Sequence, residues 1–400
     1  MNIFTKIQNY FVRHQIIENF HPSWFAMTMS WGVNAGLLHA MPFLPIDESV
    51  DPRGVENIRR FKNFLNVLCK IIWTTNSFYW ILFMSISILQ LVNHRKTIKH
   101  HIKPCFYGCM LMGFATCAQP LATLWNLPNL AATLYFIYFA LTWILGIIIN
   151  IRLIIHQDNR GQNVTSILLL PTLPNVVAAH TGASLIPLVV GPNSHLLKIS
   201  LLFTAYISLG WGMLLAFLII GMVFNNLFKD GFYPITSCHA LWIICGPIGH
   251  SANSLIQLSR YVRDFEFLDQ LTVSGNSSVF LEIFRENVIA GSFLASLLIW
   301  SFGIFWIFVC ATSSLRNYFN SSESETTKPI FNTSYWSIIF PLATMTFATY
   351  QLTIVTDFMF FYVLSWIFTL IVLGLSLLVH ARTIYAVIFT ASEFWKFYSD

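Results

Sequence analysis

The chain has 400 residues, of which 56% are hydrophobic and only 10% charged. A soluble domain carries about 25% charged residues, so the composition excludes a water-soluble protein and defines a polytopic membrane protein. In that setting a net charge of +5 does not point to nucleic acid, and the informative quantity is where the positive residues sit.

The first stretch, MNIFTKIQNYFVRHQIIENF, has no continuous apolar core and does not read as a cleavable signal peptide. Hydropathy and helix breakers then place ten spans, at 22–43, 68–92, 104–124, 129–151, 165–190, 197–227, 238–258, 286–312, 333–355 and 358–381. Each supplies the about 20 residues that a bilayer crossing needs. The longest connections, 44–67, 259–285 and 313–332, are too short to hold a soluble domain. The expectation is a single transmembrane domain over 1–400, with termini at 1–21 and 382–400.

Thirteen Lys and Arg fall on the side of the N-terminus and eight on the other, with Lys70 inside the second span. That bias predicts both termini in the cytoplasm. It puts the sequon Asn276-Ser277-Ser278 outside, where glycosylation acts.

Proline is segregated. Pro22, Pro104, Pro120, Pro171, Pro174, Pro187, Pro247 and Pro341 lie in the odd-numbered spans or their mouths, whereas the even-numbered spans contain none. A proline removes a helical hydrogen bond, and in hydrocarbon the freed carbonyls need protein or water around them. The odd spans should therefore be sheltered and the even spans should face lipid. The expected fold is all-α: five helical hairpins, each with one inner, broken helix and one outer, regular helix, around a central pore.

The inner spans carry no Asp or Glu, which argues against a cation site or an acidic proton relay. They carry Gly32 and Asn34 in the first, His180 and Thr181 in the fifth, Gly246, Pro247, Gly249 and His250 in the seventh, and Pro341 and Thr344 in the ninth. These residues are the candidate anion path. An acid-free, donor-bearing surface suits a small anion, and helix N-termini after each break would add positive dipole ends. The two histidines read either as structural hydrogen-bond partners or as anion contacts able to respond to pH. His94, His100 and His101 lack the clustered spacing of a membrane metalloenzyme, and no Walker loop, nucleophile elbow or paired-carboxylate site is present. No enzyme activity, metal or cofactor is expected. The seven cysteines lie in or beside apolar segments and read as small buried hydrophobes.

Four segments on odd spans, NFHPSWFAMTMSWGVNAGLLHAMPF (19–43), LLLPTLPNVVAAHTGA (168–183), CGPIGHSANSLIQL (245–258) and YWSIIFPLATMTFATYQL (335–352), resemble the tellurite-resistance and dicarboxylate transporter family. That family also contains guard-cell anion channels, fungal malate permeases and fungal sulfite efflux pumps, and the Pro-Ser-Trp-Phe and Gly-Pro-x-Gly patterns are most similar to the sulfite branch. The resemblance implies ten helices with the odd ones forming the pore, a homotrimer in the plasma membrane, and a pore plugged by a phenylalanine of the ninth helix, matched here by Phe340. Two residues depart from the pattern: Trp31 stands among residues that are usually small, where it would narrow the conduit or turn away into packing, and His250 stands where the sulfite branch usually has Gln. The function expected is export of sulfite or bisulfite through an uncharged pore. The alternatives are a malate or other C4-dicarboxylate permease, proton-linked through His180 or His250, and a non-conducting membrane protein or receptor.

Overall fold

The computed structural model describes residues 17, 20–43, 52–93, 104–155, 164–191, 194–234, 238–263, 277–322 and 331–389. The chain termini, most of the basic residues between the second and third spans, the histidines at 94, 100 and 101, and Asn276 of the sequon lie outside them.

Ten α-helices alternate in kind among the described residues. The odd ones are α1 (Phe25–Ala40), α3 (Tyr107–Thr123), α5 (Leu173–Leu185), α7 (Cys245–Arg263) and α9 (Trp336–Thr356), and each is preceded by a 3₁₀ turn. The even ones are α2 (Pro52–Asn93), α4 (Pro128–Ile155), α6 (Ser194–Asp230), α8 (Ser277–Ser322) and α10 (Met359–Phe389), all continuous. Prolines explain part of the contrast. Pro22 and Pro104 begin the 3₁₀ turns before α1 and α3. Pro52 and Pro128 stand at the first position of even helices, where a missing N–H costs nothing.

Two of the 3₁₀ turns are capped alike. His21 Nδ1 accepts from the Ser23 N–H at 3.1 Å, and Asn332 Oδ1 accepts from the Ser334 N–H at 2.8 Å. The two starts are joined by the Ser23 and Thr333 hydroxyls, 2.9 Å apart.

The inner helices close a ring. α1 packs on α3, α3 on α5, α5 on α7, α7 on α9, and α9 returns to α1. The outer helices sit over the seams: α2 on α1 and α3, α4 on α3 and α5, α6 on α5 and α7, α8 on α7 and α9, α10 on α9 and α1. In the most apolar window of α9, 78% of residues are buried, against 22–39% in the five even helices. The exposed faces of the even helices carry Leu214, Leu218, Phe308 and Leu370, as a lipid-facing surface requires. The inner–outer division expected from proline placement is the observed architecture.

Three details differ from the sequence reading. First, the segments 44–67, 259–285 and 313–332 are not wholly loops, because α2 begins at Pro52 and α8 runs from Ser277 to Ser322. These helices exceed the about 30 Å of hydrocarbon and continue beyond it. Secondly, Gly246-Pro247-Ile248-Gly249 does not break its helix. The change from 3₁₀ to α falls between Ile244 and Cys245, so Pro247 sits in the first turn of α7, where its missing donor has no intrahelical partner. Thirdly, four of the inner threonines bond to their own helices. Thr28 donates to Phe25 O, Thr344 to Pro341 O, Thr346 to Leu342 O and Thr349 to Met345 O. They compensate backbone in a dry interior instead of offering donors to a pore.

Tight hairpin turns complete the pattern. Asn126 (φ 53°) lies between α3 and α4, and Asp357 (φ 50°) between α9 and α10; both side-chain types tolerate the left-handed region. All seven cysteines are free, and all but the half-buried Cys117 are buried.

A blind cavity within the inner ring

A cavity of about 300 Å³ lies inside the ring, lined by residues from all five odd helices and from no even one. The odd helices run parallel, so position along each gives depth. At the deep end stand Phe340 of α9, His250 of α7 and His180 of α5, which are 1%, 2% and 4% exposed. Half-buried Gln119, Gln257 and Gln351 lie further along α3, α7 and α9, and exposed His39 and Ile354 mark the mouth. The cavity thus opens at the C-terminal ends of the inner helices. The positive dipole ends expected to face an anion lie behind its base, not at its mouth.

The base is built from rings. His180 tilts against His250 with centroids 5.0 Å apart, and His250 lies 5.5 Å from Phe340. Phe347 covers His180 at 5.2 Å and meets Tyr350 edge-on at 6.1 Å. Asn253 hydrogen-bonds His180 Nδ1. Both ring nitrogens of His250 are buried without a hydrogen-bond partner. Near the starts of the inner helices Leu169, Leu173, Ile244 and Ile339 are each at most 1% exposed. Among the described residues no Asp, Glu, Lys or Arg lines the cavity.

Of the residues expected on an anion path, Gly32, His180, His250 and Phe340 line the cavity; Asn34, Thr181, Gly246, Pro247, Gly249, Pro341 and Thr344 do not. Gly32 is small because a Cβ there would strike the side chains of Asn76 and Thr116. Asn34 turns outward: its amide donates to Ser376 of α10 at 3.0 Å, tying the ring to its sheath. Gly249 lets α7 touch α9, since a Cβ would lie 2.5 Å from the Thr344 carbonyl carbon and 2.6 Å from Met345 N. Thr344 crosses the same seam by donating to Cys245 O at 3.1 Å, besides its bond to Pro341 O. Gly246 faces Leu173 and Pro341, and Thr181 is buried off the wall. These residues set helix spacing.

Trp31 turns away from the cavity into packing. Its Nε1 donates to Thr75 of α2 at 2.9 Å, and its ring lies tilted 4.4 Å from His380 of α10. The glutamines were not singled out from the sequence. Three amides on inner spans that carry no Asp or Glu were the available signal.

A closed ring of interrupted helices, sheathed by lipid-facing helices and enclosing an uncharged polar cavity, defines a multi-pass membrane transport protein. Residues 19–384 match the voltage-dependent anion channel family, and the chain belongs to that family of channels and transporters. It is 26% identical over 381 residues to a sulfite efflux pump of Arthroderma benhamiae, covering 92% of this chain and 91% of the relative. A Saccharomyces cerevisiae sulfite efflux pump is 21% identical, covering 84% and 80%. An uncharacterized transporter of Methanocaldococcus jannaschii is 22% identical, covering 82% of each.

Proposed function

We propose that the chain exports sulfite or hydrogensulfite across the plasma membrane, down the electrochemical gradient, through the centre of the inner ring, with Phe340 as the gate. The observation that carries the reading is the uncharged cavity that stops at the buried Phe340 ring. A bulky apolar ring in a narrow conduit excludes water and ions until it rotates away. With both termini cytoplasmic, as the Lys and Arg bias favours, the cavity mouth faces outward, and a negative interior drives anion exit by about 2.3 kcal/mol per charge per 100 mV. The likeness to sulfite efflux pumps supports the substrate, and the family resemblance supports a homotrimer with one conduit in each subunit.

A C4-dicarboxylate would bring two charges into a cavity with no Lys or Arg on its wall, which disfavours that reading. The test is expression in sulfite-sensitive yeast. Growth restored on sulfite supports the proposal; unchanged sensitivity with malate uptake in the same cells replaces it by the dicarboxylate permease. Silence toward both would leave the non-conducting reading.

A further inference from the structure

His250 has no partner within the protein for either ring nitrogen, although it is 2% exposed and lines the base of the cavity. Buried polar groups in folded proteins are nearly always paired, so its partners must come from the cavity. The surroundings close the other routes. From α9 comes the apolar Phe340 ring at 5.5 Å, and from α5 comes His180 at 5.0 Å, the titratable side chain that faces His250. The other titratable groups on the wall are His39 of α1, Tyr261 of α7 and Tyr350 of α9; α3 contributes none.

The hydrogen-bonding capacity of the pair can be counted. Two neutral imidazoles offer two N–H donors and two bare nitrogens. His180 is already engaged by Asn253, whereas His250 keeps both its N–H donor and its bare nitrogen unpartnered. Chloride, nitrate and a dianionic oxyanion can only accept, and each leaves the remaining bare nitrogen without a partner. A monoprotonated oxyanion brings acceptor oxygens and one O–H, which matches the count. Charge points the same way. Stripping water from an ion costs more as the square of its charge, and no Lys or Arg on the wall offsets a second negative charge.

We propose that His180 and His250 form a binding site that selects the monoprotonated form of a weak-acid oxyanion over its dianion and over anions that cannot donate. Under the function proposed above, on which the choice of ligand rests, that form is hydrogensulfite.

The test uses the full chain in proteoliposomes, with sulfite, malate and nitrate flux measured above protein-free vesicles at fixed total anion across a pH series. Wild-type sulfite flux should follow the hydrogensulfite concentration, falling about tenfold per pH unit on the alkaline side of its titration, while nitrate flux stays level. His250→Gln keeps a donor and an acceptor but does not titrate, so it should retain this dependence. His250→Leu should lose it, together with the preference for sulfite over nitrate. Sulfite flux that follows the total or the dianion, or a His250→Leu protein that behaves as wild type, overturns the site and leaves sulfite transport standing. Malate flux that follows its monoprotonated form without any sulfite flux overturns the substrate and supports the site. Absence of flux for every anion overturns both.

Discussion

His250 of α7 and Phe340 of α9 face each other with ring centroids 5.5 Å apart at the point where the cavity ends. One ring is a polar group without a hydrogen-bond partner among the described residues and the other is a buried apolar ring. The contact sets the proposed anion site directly against the proposed gate, so that occupancy and opening would share one surface.

Asn253 holds the second imidazole. Its bond to His180 Nδ1 is buried, so removing either partner leaves the other without it, at about 1–3 kcal/mol. A double-mutant cycle of Asn253→Leu and His180→Leu, read as thermal stability in detergent, should show coupling of about 0.5–3 kcal/mol. Strictly additive effects would mean that the pair is not formed.

Gly249 sets the distance between α7 and α9. Gly249→Ala drives a methyl group into the Thr344–Met345 backbone, and backbone cannot rotate aside. The variant should lose at least the about 1–3 kcal/mol typical of overpacking, seen as a lower melting temperature and lower yield of folded protein. Gly291, where nothing lies within 4 Å of an added Cβ, is the control, and Gly291→Ala should melt with the wild type.

Trp31 tests which way its helix faces. Because its ring packs on His380 and its N–H reaches Thr75, Trp31→Ala should destabilise the protein by about 0.5–3 kcal/mol while leaving anion selectivity unchanged. A large rise in flux from this variant would place the tryptophan in the conduit.

The architecture was readable because its causes are local. Pro120 and Pro341 sit inside inner helices, need shelter, and so mark those helices as the ring. The wall of the cavity was not readable in the same way. An outer helix alternates lipid-facing and ring-facing residues, but an inner helix such as α1 packs against other helices on several sides and is apolar over most of its length. The α1 sequence has no period that separates Asn34, which faces α10, from Gly36, which faces the cavity. The threonines of α9 misled for a related reason: they look like pore donors, yet each returns its proton to the preceding turn. The true wall amides, Gln119, Gln257 and Gln351, come together only through ring closure, which no single segment encodes. Likewise Gly246-Pro247-Ile248-Gly249 signals a helix start and a close helix contact, and composition alone does not distinguish these from a break.

The proposed conduit runs through the inner ring and is closed at Phe340. The direct measurement is anion current in oocytes expressing wild type, Phe340→Ala and Phe347→Ala. Phe347 also lines the cavity but stands two turns nearer its mouth. Phe340→Ala should conduct several-fold more than wild type, whereas Phe347→Ala widens the vestibule and leaves the current near the wild-type level. An unchanged current in Phe340→Ala, with the protein present at the cell surface, would contradict the account.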